Sequence, residues 1–253
     1  MLSGPPARAA KRRPFVPEAQ LGKVPGRHRL GELSMSLRTA GLVLACALSL
    51  GITAPIQAHA GAQQSPGALA GDAADHGDYA TALRLAQPLA ERGDPEGENI
   101  MGLLYHFGWG VPKDPAKAVY WYSKAAEQGV QAAQNNLGGI YADGEGVPRN
   151  YELAVKWYRA AAATGALQAM TNLGQMYEDG HGVPKDDKTA IDFYRKAASA
   201  GYAPAEYDLG LMYESGHGVP RDWAQAAGWY RKAAEGFRHQ AGLAGDMPDA
   251  RGQ

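Results

Sequence analysis

The sequence predicts an all-α solenoid built from 36-residue helix-turn-helix repeats, and three periodic features of the chain predict it. A Gly-x-Gly-Val-Pro motif begins at Gly108, Gly144, Gly180 and Gly216, so successive copies lie 36 residues apart. An apolar–glycine pair followed by a tyrosine precedes every copy, and an aromatic pair followed by Ala-Ala comes after it. Four copies in the same order indicate a repeated unit whose core forms when neighbouring units stack.

The first half of each unit is predicted to form a helix, called helix A. A small residue, an apolar–glycine pair and a tyrosine recur at the same spacing in all four units. In the second unit these are Ala133, Leu137, Gly138 and Tyr141. Their offsets of four, five and eight residues place them on one face of a helix.

The glycine motif is predicted to be the turn after helix A. Its first glycine suits a helix C-terminus because glycine adopts positive φ, and its proline prevents the helix from continuing. An Asp or Asn then stands where the second helix, helix B, needs a side-chain N-cap. These capping residues are Asp114, Asn150, Asp186 and Asp222. A phosphate-binding loop would need a preceding strand and a following Lys-Ser or Lys-Thr, and the sequence offers neither.

The repeats set the expected domain boundaries. Residues 97–236 contain the four units, and residues 78–96 match helix B of the first unit loosely, which predicts an N-terminal half-repeat. Residues 61–77 are rich in Gly and Ala and are expected to form a flexible linker. Residues 237–253 are expected to form a flexible C-terminal tail.

The C-terminal end departs from the repeat pattern after Ala234. Phe237 occupies the position where helix B of the first three units ends in glycine. The last unit of a solenoid exposes the face that a further unit would cover. We therefore expect an apolar patch near Leu209, Met212 and Trp229, suited to weak self-association.

Residues 35–60 have the three-part order of a cleaved export signal. Arg38 lies in a short polar start, an apolar stretch follows, and Ala58-His59-Ala60 forms a small-x-small cleavage pattern. The apolar stretch is short for a membrane-spanning helix of about 20 residues, although a retained anchor stays an alternative. The expected location is therefore periplasmic or secreted, with no stable membrane span after cleavage.

The N-terminal residues 1–34 are a basic, Pro- and Arg-rich extension, and translation could begin at Met1 or Met35. Residues 1–60 carry eight Lys/Arg and two Asp/Glu, whereas the rest of the chain carries 17 and 24. An acidic mature protein lacks the basic surface that nucleic-acid binding requires. The only cysteine, Cys46, lies within the predicted signal, so no disulfide or cysteine metal site is expected in the repeats.

The motifs Leu-Gly-x-x-Tyr, Gly-x-Gly-Val and Trp-Tyr-x-Lys-Ala-Ala-x-x-Gly resemble those of the Sel-one-like repeat family, relatives of tetratricopeptide repeats. The resemblance covers residues 97–236 and implies a right-handed α/α superhelix whose helices A line a concave surface. It also implies a non-enzymatic adaptor for a protein or peptide in envelope assembly, signalling or host interaction. A cysteine-rich branch of the family suggests the alternative of an envelope hydrolase or binder of β-lactams or peptidoglycan, but these repeats contain no cysteine.

Similarity to the tetratricopeptide arrangement also implies which residues bind the partner. The concave face would carry the residues two before and two after the leucine of Leu-Gly. The predicted partner-binding residues are Asn99, Leu103, Asn135, Thr171, Gln175, Tyr207 and Leu211. The residue after each tyrosine is expected on the same face, namely His106, Ala142, Glu178 and Glu214. Amide and hydroxyl groups in such a row could bind the backbone of an extended peptide.

No catalytic or metal-binding constellation is evident in the sequence. It contains no Ser-x-x-Lys, Gly-x-Ser-x-Gly or His-Glu-x-x-His motif in the repeats. His181 and His217 occupy equivalent turns, but Trp109 and Glu145 stand at the same position in the other units. We interpret that position as an exposed variable site, and we expect neither a metal nor a cofactor.

Overall fold

The structure, a computed structural model, describes residues 65–240, which form ten helices and no strand. The predicted N-terminal extension and export signal lie outside these residues, as do residues 241–253 of the predicted tail. The helices are α1 (Pro66–Asp75), α2 (Tyr79–Glu91), α3 (Pro95–Phe107), α4 (Pro115–Glu127), α5 (Gln131–Asp143), α6 (Tyr151–Ala163), α7 (Leu167–Asp179), α8 (Asp187–Ser199), α9 (Ala203–Ser215) and α10 (Trp223–Gln240). Helices α3, α5, α7 and α9 are the four helices A, and α4, α6, α8 and α10 are the four helices B.

The core repeats from unit to unit, which confirms the α/α solenoid. Each buried cluster joins helix B of one repeat to helix A of the next. Between α8 and α9, for example, Ile191, Tyr194, Leu209 and Met212 pack together with almost no exposure. Neighbouring repeats therefore share a core.

The predicted helix ends are confirmed. Gly108, Gly144, Gly180 and Gly216 end the helices A at φ values of 72°, 74°, 71° and 80°, in the left-handed region. The side chains of Asp114, Asn150, Asp186 and Asp222 accept hydrogen bonds from backbone N–H groups in the first turn of each helix B.

The predicted linker is wrong in its central part, because Pro66–Asp75 is the helix α1. The Ser65 hydroxyl oxygen caps it by accepting a hydrogen bond from the backbone N–H of Ala68. Ala70 and Ala74 are buried in a cluster with α2 and α3. Small residues spaced three and four apart thus form a packing face, although the composition resembles a linker. Helix α1 serves as a short helix A for the N-terminal half-repeat.

The predicted tail is wrong at its start, because α10 continues to Gln240 and has 18 residues, whereas the other helices B of the repeats have 13. The first three helices B are each followed by a glycine at positive φ, namely Gly129, Gly165 and Gly201. Phe237 replaces that glycine in the fourth repeat. Because phenylalanine does not favour the left-handed conformation, the helix continues.

The apolar patch expected at the C-terminal end is composed of different residues. Leu209 and Met212 are 0% and 1% exposed, since they pack against α8, and Trp229 is partly buried against the same cluster. The exposed apolar residues of the last repeat are instead Leu211, Trp223 and Phe237.

Candidate partner-binding groove

Two adjoining grooves lie along helices A, from α1 to the N-terminus of α9. The larger has a volume of about 530 Å³ and is lined by Leu103, Gln131, Asn135, Leu167, Gln168 and Tyr202, among others. The smaller has a volume of about 250 Å³, and Asn99 and Glu96 contribute to its lining. Because Asp75 and Leu103 line both grooves, they adjoin and offer a continuous surface to an extended ligand.

The groove lining combines three kinds of chemistry. Gln131, Asn135 and Gln168 provide amides that can both donate and accept hydrogen bonds. Leu103 and Tyr202 provide apolar surface. Asp75 and Glu96 provide carboxylates, and no lysine or arginine among residues 65–240 lines either groove. Such a lining suits a polypeptide that carries basic residues.

Three of the four helices A that border the grooves also differ from the helices B at their N-termini, whereas α3 is capped by the side chain of Asp94. The N-cap residues of helices α5, α7 and α9 are Val130, Ala166 and Tyr202, none of which provides a side-chain cap. Ala166 and Tyr202 line the larger groove and Val130 lines the smaller one. The first-turn N–H groups of these helices therefore lack a side-chain acceptor and are suited to carbonyl or carboxylate oxygens of a ligand.

Three of the predicted partner-binding residues lie in these grooves. Asn99 lines the smaller groove, Asn135 the larger, and Leu103 both. Asn135 is only 4% exposed, and its Oδ1 accepts a hydrogen bond from Nδ2 of Asn172 at 3.0 Å. Its amide therefore helps to join α5 to α7 as well as forming part of the groove wall.

The other four predicted residues do not line either groove. Thr171 is 4% exposed, and its hydroxyl donates a hydrogen bond to the carbonyl of Leu167 in its own helix. Gln175 is half-buried. Tyr207 packs against Tyr230 with ring centroids 5.2 Å apart, and Leu211 is 41% exposed in the last repeat.

The expectation for the residue after each tyrosine of helix A is wrong, because this residue faces helix B of its own repeat. Glu178 accepts a hydrogen bond from the hydroxyl of Tyr194 at 2.8 Å, and Glu214 accepts one from Tyr230. Burial raises the pKa of Tyr194 well above its ordinary value, so the phenol remains a hydrogen-bond donor. These glutamates hold the two helices of a repeat together.

The variable residue between the two turn glycines is exposed as expected in the fourth repeat, at His217, but it is partly buried in the first three repeats. Trp109 stacks on Tyr79 with ring centroids 4.9 Å apart, and His181 stacks on Tyr151 at 4.2 Å. Tyr79 and Tyr151 each begin helix B of the preceding repeat. The turn residue therefore contributes to the contact between repeats.

In the second repeat the same turn position holds Glu145, which makes polar contacts instead. Its Oε1 lies 2.6 Å from Nζ of Lys113, and its Oε2 lies 3.2 Å from Nε2 of His106. Burial lowers the pKa of His106, although Glu145 opposes this. Partial burial would raise the pKa of Glu145, but Lys113 and His106 outweigh it and lower that pKa. Glu145 is thus a charged link between successive repeats.

Two further features bear on binding and location. Within residues 65–240, no group of three or more His, Cys, Asp or Glu side chains is arranged to hold a metal ion. In the same part of the chain, no helix has both the length and the apolar character needed to cross a bilayer.

The chain belongs to the Sel1 repeat family. The sequence model of the Sel1 repeat matches residues 95–130, 131–165, 167–202 and 203–236, which together exceed half of the chain. These matches coincide with the four pairs of helices A and B. Sel1 repeats form a scaffold that is in general protein-binding and typically carries no enzymatic activity.

Solved structures agree with this assignment. A protective antigen of uropathogenic Escherichia coli strains, which displays an SLR fold, is 42% identical over 62% of this chain, with a TM-score of 0.59. The match covers only 34% of the E. coli chain, so this protein corresponds to about a third of it. A Sel1 repeat protein from Oxalobacter formigenes is 33% identical over 71% of this chain and 76% of its own, with a TM-score of 0.61. No curated protein sequence matches the chain.

Proposed function

We propose that this protein is an exported, non-enzymatic adaptor that binds an extended segment of a partner protein in the grooves along its helices A. The observation that carries the proposal is the continuous lining of amides, apolar side chains and carboxylates along these two grooves. Extended peptides bind through main-chain hydrogen bonds for affinity and through side-chain pockets for specificity. The amides of Gln131 and Gln168 are suited to the first role, and the apolar surface of Leu103 and Tyr202 to the second.

The charge of the grooves narrows the class of partner. Asp75 and Glu96 are the charged residues of the two linings. Opposite charges across an interface favour the correct partner and disfavour a like-charged one. The preferred segment therefore carries lysine or arginine near Leu103, the residue that both grooves share.

The proposed setting is the cell envelope or the extracellular space, in assembly, signalling or host interaction. Two observations support it: the three-part signal pattern of residues 35–60, and a protective antigen among the chains of similar sequence and fold.

Peptides selected from a random library on the purified protein are expected to bind through the grooves and to be enriched in lysine and arginine. Ala132 is an exposed residue in the lining of the larger groove. Ala132→Arg would place a large cation there, and we expect it to raise the dissociation constants of the selected peptides by about ten-fold or more. Isothermal titration calorimetry gives the affinities.

The matched control is Ala116→Arg. Ala116 is also exposed and is also the second residue of its helix, but it lies in α4 and lines neither groove. Peptide affinity should therefore be unchanged in this variant. Equal affinities for both variants and the parent protein would place the binding site outside the grooves.

Protein isolated from the envelope fraction is expected to begin at Gly61 or within a few residues of it. The reason is the small-x-small pattern of Ala58-His59-Ala60, which follows an apolar stretch of signal-peptide length. Intact-mass measurement identifies the N-terminus. A cytosolic species that retains residues 36–60 would contradict the proposed export.

A further inference from the structure

A histidine lies buried where the first and second repeats meet. His106, near the end of α3, is 5% exposed, and its Nε2 lies 3.2 Å from Oε2 of Glu145 in the turn after α5. Because a carboxylate only accepts hydrogen bonds, the neutral imidazole carries its hydrogen on Nε2. A second proton would therefore go to Nδ1, which is buried. Acidification thus adds a positive charge inside this junction.

Ionisable groups from three elements face this ring. Glu145 attracts a charge on His106, but its other oxygen, Oε1, already lies 2.6 Å from Nζ of Lys113 in the turn after α3. The positive charge of Lys113 opposes a second one nearby. Tyr122 of α4 meets the ring edge-on at 6.0 Å, and burial raises its pKa well above the ordinary value, so it remains neutral. A protonated His106 would therefore share one carboxylate with a lysine in a site that excludes most water.

These contacts set the direction in which acid acts on the junction. Burial lowers the pKa of His106 below the ordinary value of 6.5, although Glu145 opposes this. A group whose pKa is lower in the folded state gives its full stability above the ordinary pKa, and this stability is lost as the pH falls towards the folded pKa. The junction should therefore weaken below about pH 6.5.

Glu145 stays charged over this pH range. Partial burial would raise its pKa, but Lys113 and His106 outweigh this and lower that pKa below the ordinary value of 4.5. By the same rule, its own contribution to stability is lost only at more acidic pH. Between these two ranges, the change at this cluster is the protonation of His106.

The buried imidazole is particular to the junction that the grooves cross. The equivalent positions of the later repeats hold Ala142, Glu178 and Glu214. On the first repeat's side of the junction, α3 provides Leu103 to both grooves, and on the other side α5 provides Asn135 to the larger one. A shift of α3 relative to α5 would therefore change the groove lining.

We propose that His106 and Glu145 form an acid-sensitive switch between the first two repeats, which loosens the grooves and releases the bound segment as the pH falls below neutral. At neutral pH the uncharged ring donates its Nε2 hydrogen to Glu145 and joins the repeats. In acid the ring carries a charge that burial disfavours, so the arrangement that separates the repeats and admits water gains population. The release rests on the proposed function, whereas the loosening of the junction does not.

Urea unfolding of the purified full chain at about pH 7.5 and about pH 5.5 tests the loosening. The parent's midpoint should fall on acidification, and that of His106→Gln should fall much less, because glutamine keeps an N–H donor for Glu145 but takes up no proton. Each protein is compared with itself at the two pH values, so a general loss of stability in the variant does not affect the result. His217→Gln is the matched control, because His217 is exposed in the turn of the fourth repeat, and it should keep the pH dependence of the parent.

The titration of the parent's imidazole signals, followed by NMR, is a second measurement that does not depend on the stability of a variant. His106, identified by the signal that His106→Gln lacks, should titrate below about pH 6.5. Titration at or above that pH would overturn the proposal, and so would equal falls of the urea midpoint in the parent and in His106→Gln.

The release is tested with the peptides selected on the grooves at about pH 7.5. With the parent, their dissociation constants should rise by about three-fold or more at about pH 5.5, and with His106→Gln they should rise less. Dissociation constants that change equally in both proteins would overturn the release. If the urea midpoints behave as expected but no peptide can be selected, the proposed function fails together with the release, and the loosening of the junction is confirmed.

Discussion

Gly174→Ala is expected to lower the free energy of unfolding by about 1 kcal/mol, although alanine is the better helix former by about 1 kcal/mol. A Cβ atom on Gly174 would lie 2.6 Å from Cε1 of Tyr194. That ring is 0% exposed, and its hydroxyl is bonded to Glu178, so it cannot move aside. Such overpacking costs about 1–3 kcal/mol, which exceeds the gain in helix propensity. Urea unfolding of the purified variant measures the difference.

Gly228→Ala is the control, and its expected effect has the opposite sign. Gly228 also lies within a helix, but a Cβ atom there would have no neighbour within 4 Å. The same substitution should therefore stabilise the protein by about 0.5–1 kcal/mol. If Gly174→Ala were as stable as the parent, the tyrosine ring would not lie over this glycine.

The Leu-Gly-x-x-Tyr glycine therefore has a packing role that the sequence alone does not reveal. Its equivalents Gly102, Gly138 and Gly210 each lie under the tyrosine of helix B in the same repeat, as Gly174 does. Helical periodicity places such a glycine on the buried face of helix A. It does not show which residue of helix B lies above it, because that depends on how far one helix is shifted along the other.

Because the sequence does not show how neighbouring helices pack, only part of the candidate site could be predicted from it. The bounds of the helices and the capping of helix B depend on the residue types at each turn, so they can be predicted from the local sequence. The surface that a helix A residue faces depends on the packing of neighbouring helices. Asn99 and Asn135 therefore lie in the grooves as predicted, whereas Glu178 faces Tyr194 of helix B.

At both ends of the described chain, the linker and the tail predicted from composition were wrong, because composition does not show how helices pack or where they end. The Gly- and Ala-rich stretch that forms α1 has few large apolar residues, so its periodicity is weak. Small residues nevertheless allow close approach, and a Cβ atom on Gly67 would overlap the side chain of Glu96 in α3. At the other end, the absence of a closing glycine at Phe237 was visible in the sequence, but its consequence is a longer helix instead of a tail.

Gly146→Ala is expected to have the largest effect of all, a loss of about 4 kcal/mol in the free energy of unfolding. Gly146 is the second glycine of its turn and has φ of 75°, which costs an alanine about 1–2 kcal/mol. A Cβ atom there would also overlap Cβ of Pro115, the first residue of helix B in the preceding repeat. Because the proline ring is rigid, the two repeats would have to move apart.

Gly129→Ala separates the two causes of this loss. Gly129 has φ of 88°, but a Cβ atom there would have no neighbour within 4 Å. Only the cost of placing alanine in the left-handed region, about 1–2 kcal/mol in the free energy of unfolding, should therefore appear.

The stability of a solenoid depends on the interfaces between neighbouring repeats, so Gly146→Ala should also weaken the coupling between the first and second repeats. Its urea transition should be broader than that of Gly129→Ala, with a smaller dependence of free energy on denaturant. Equal losses and equal transition widths in the two variants would mean that the second turn glycine serves the turn alone and not the contact between repeats.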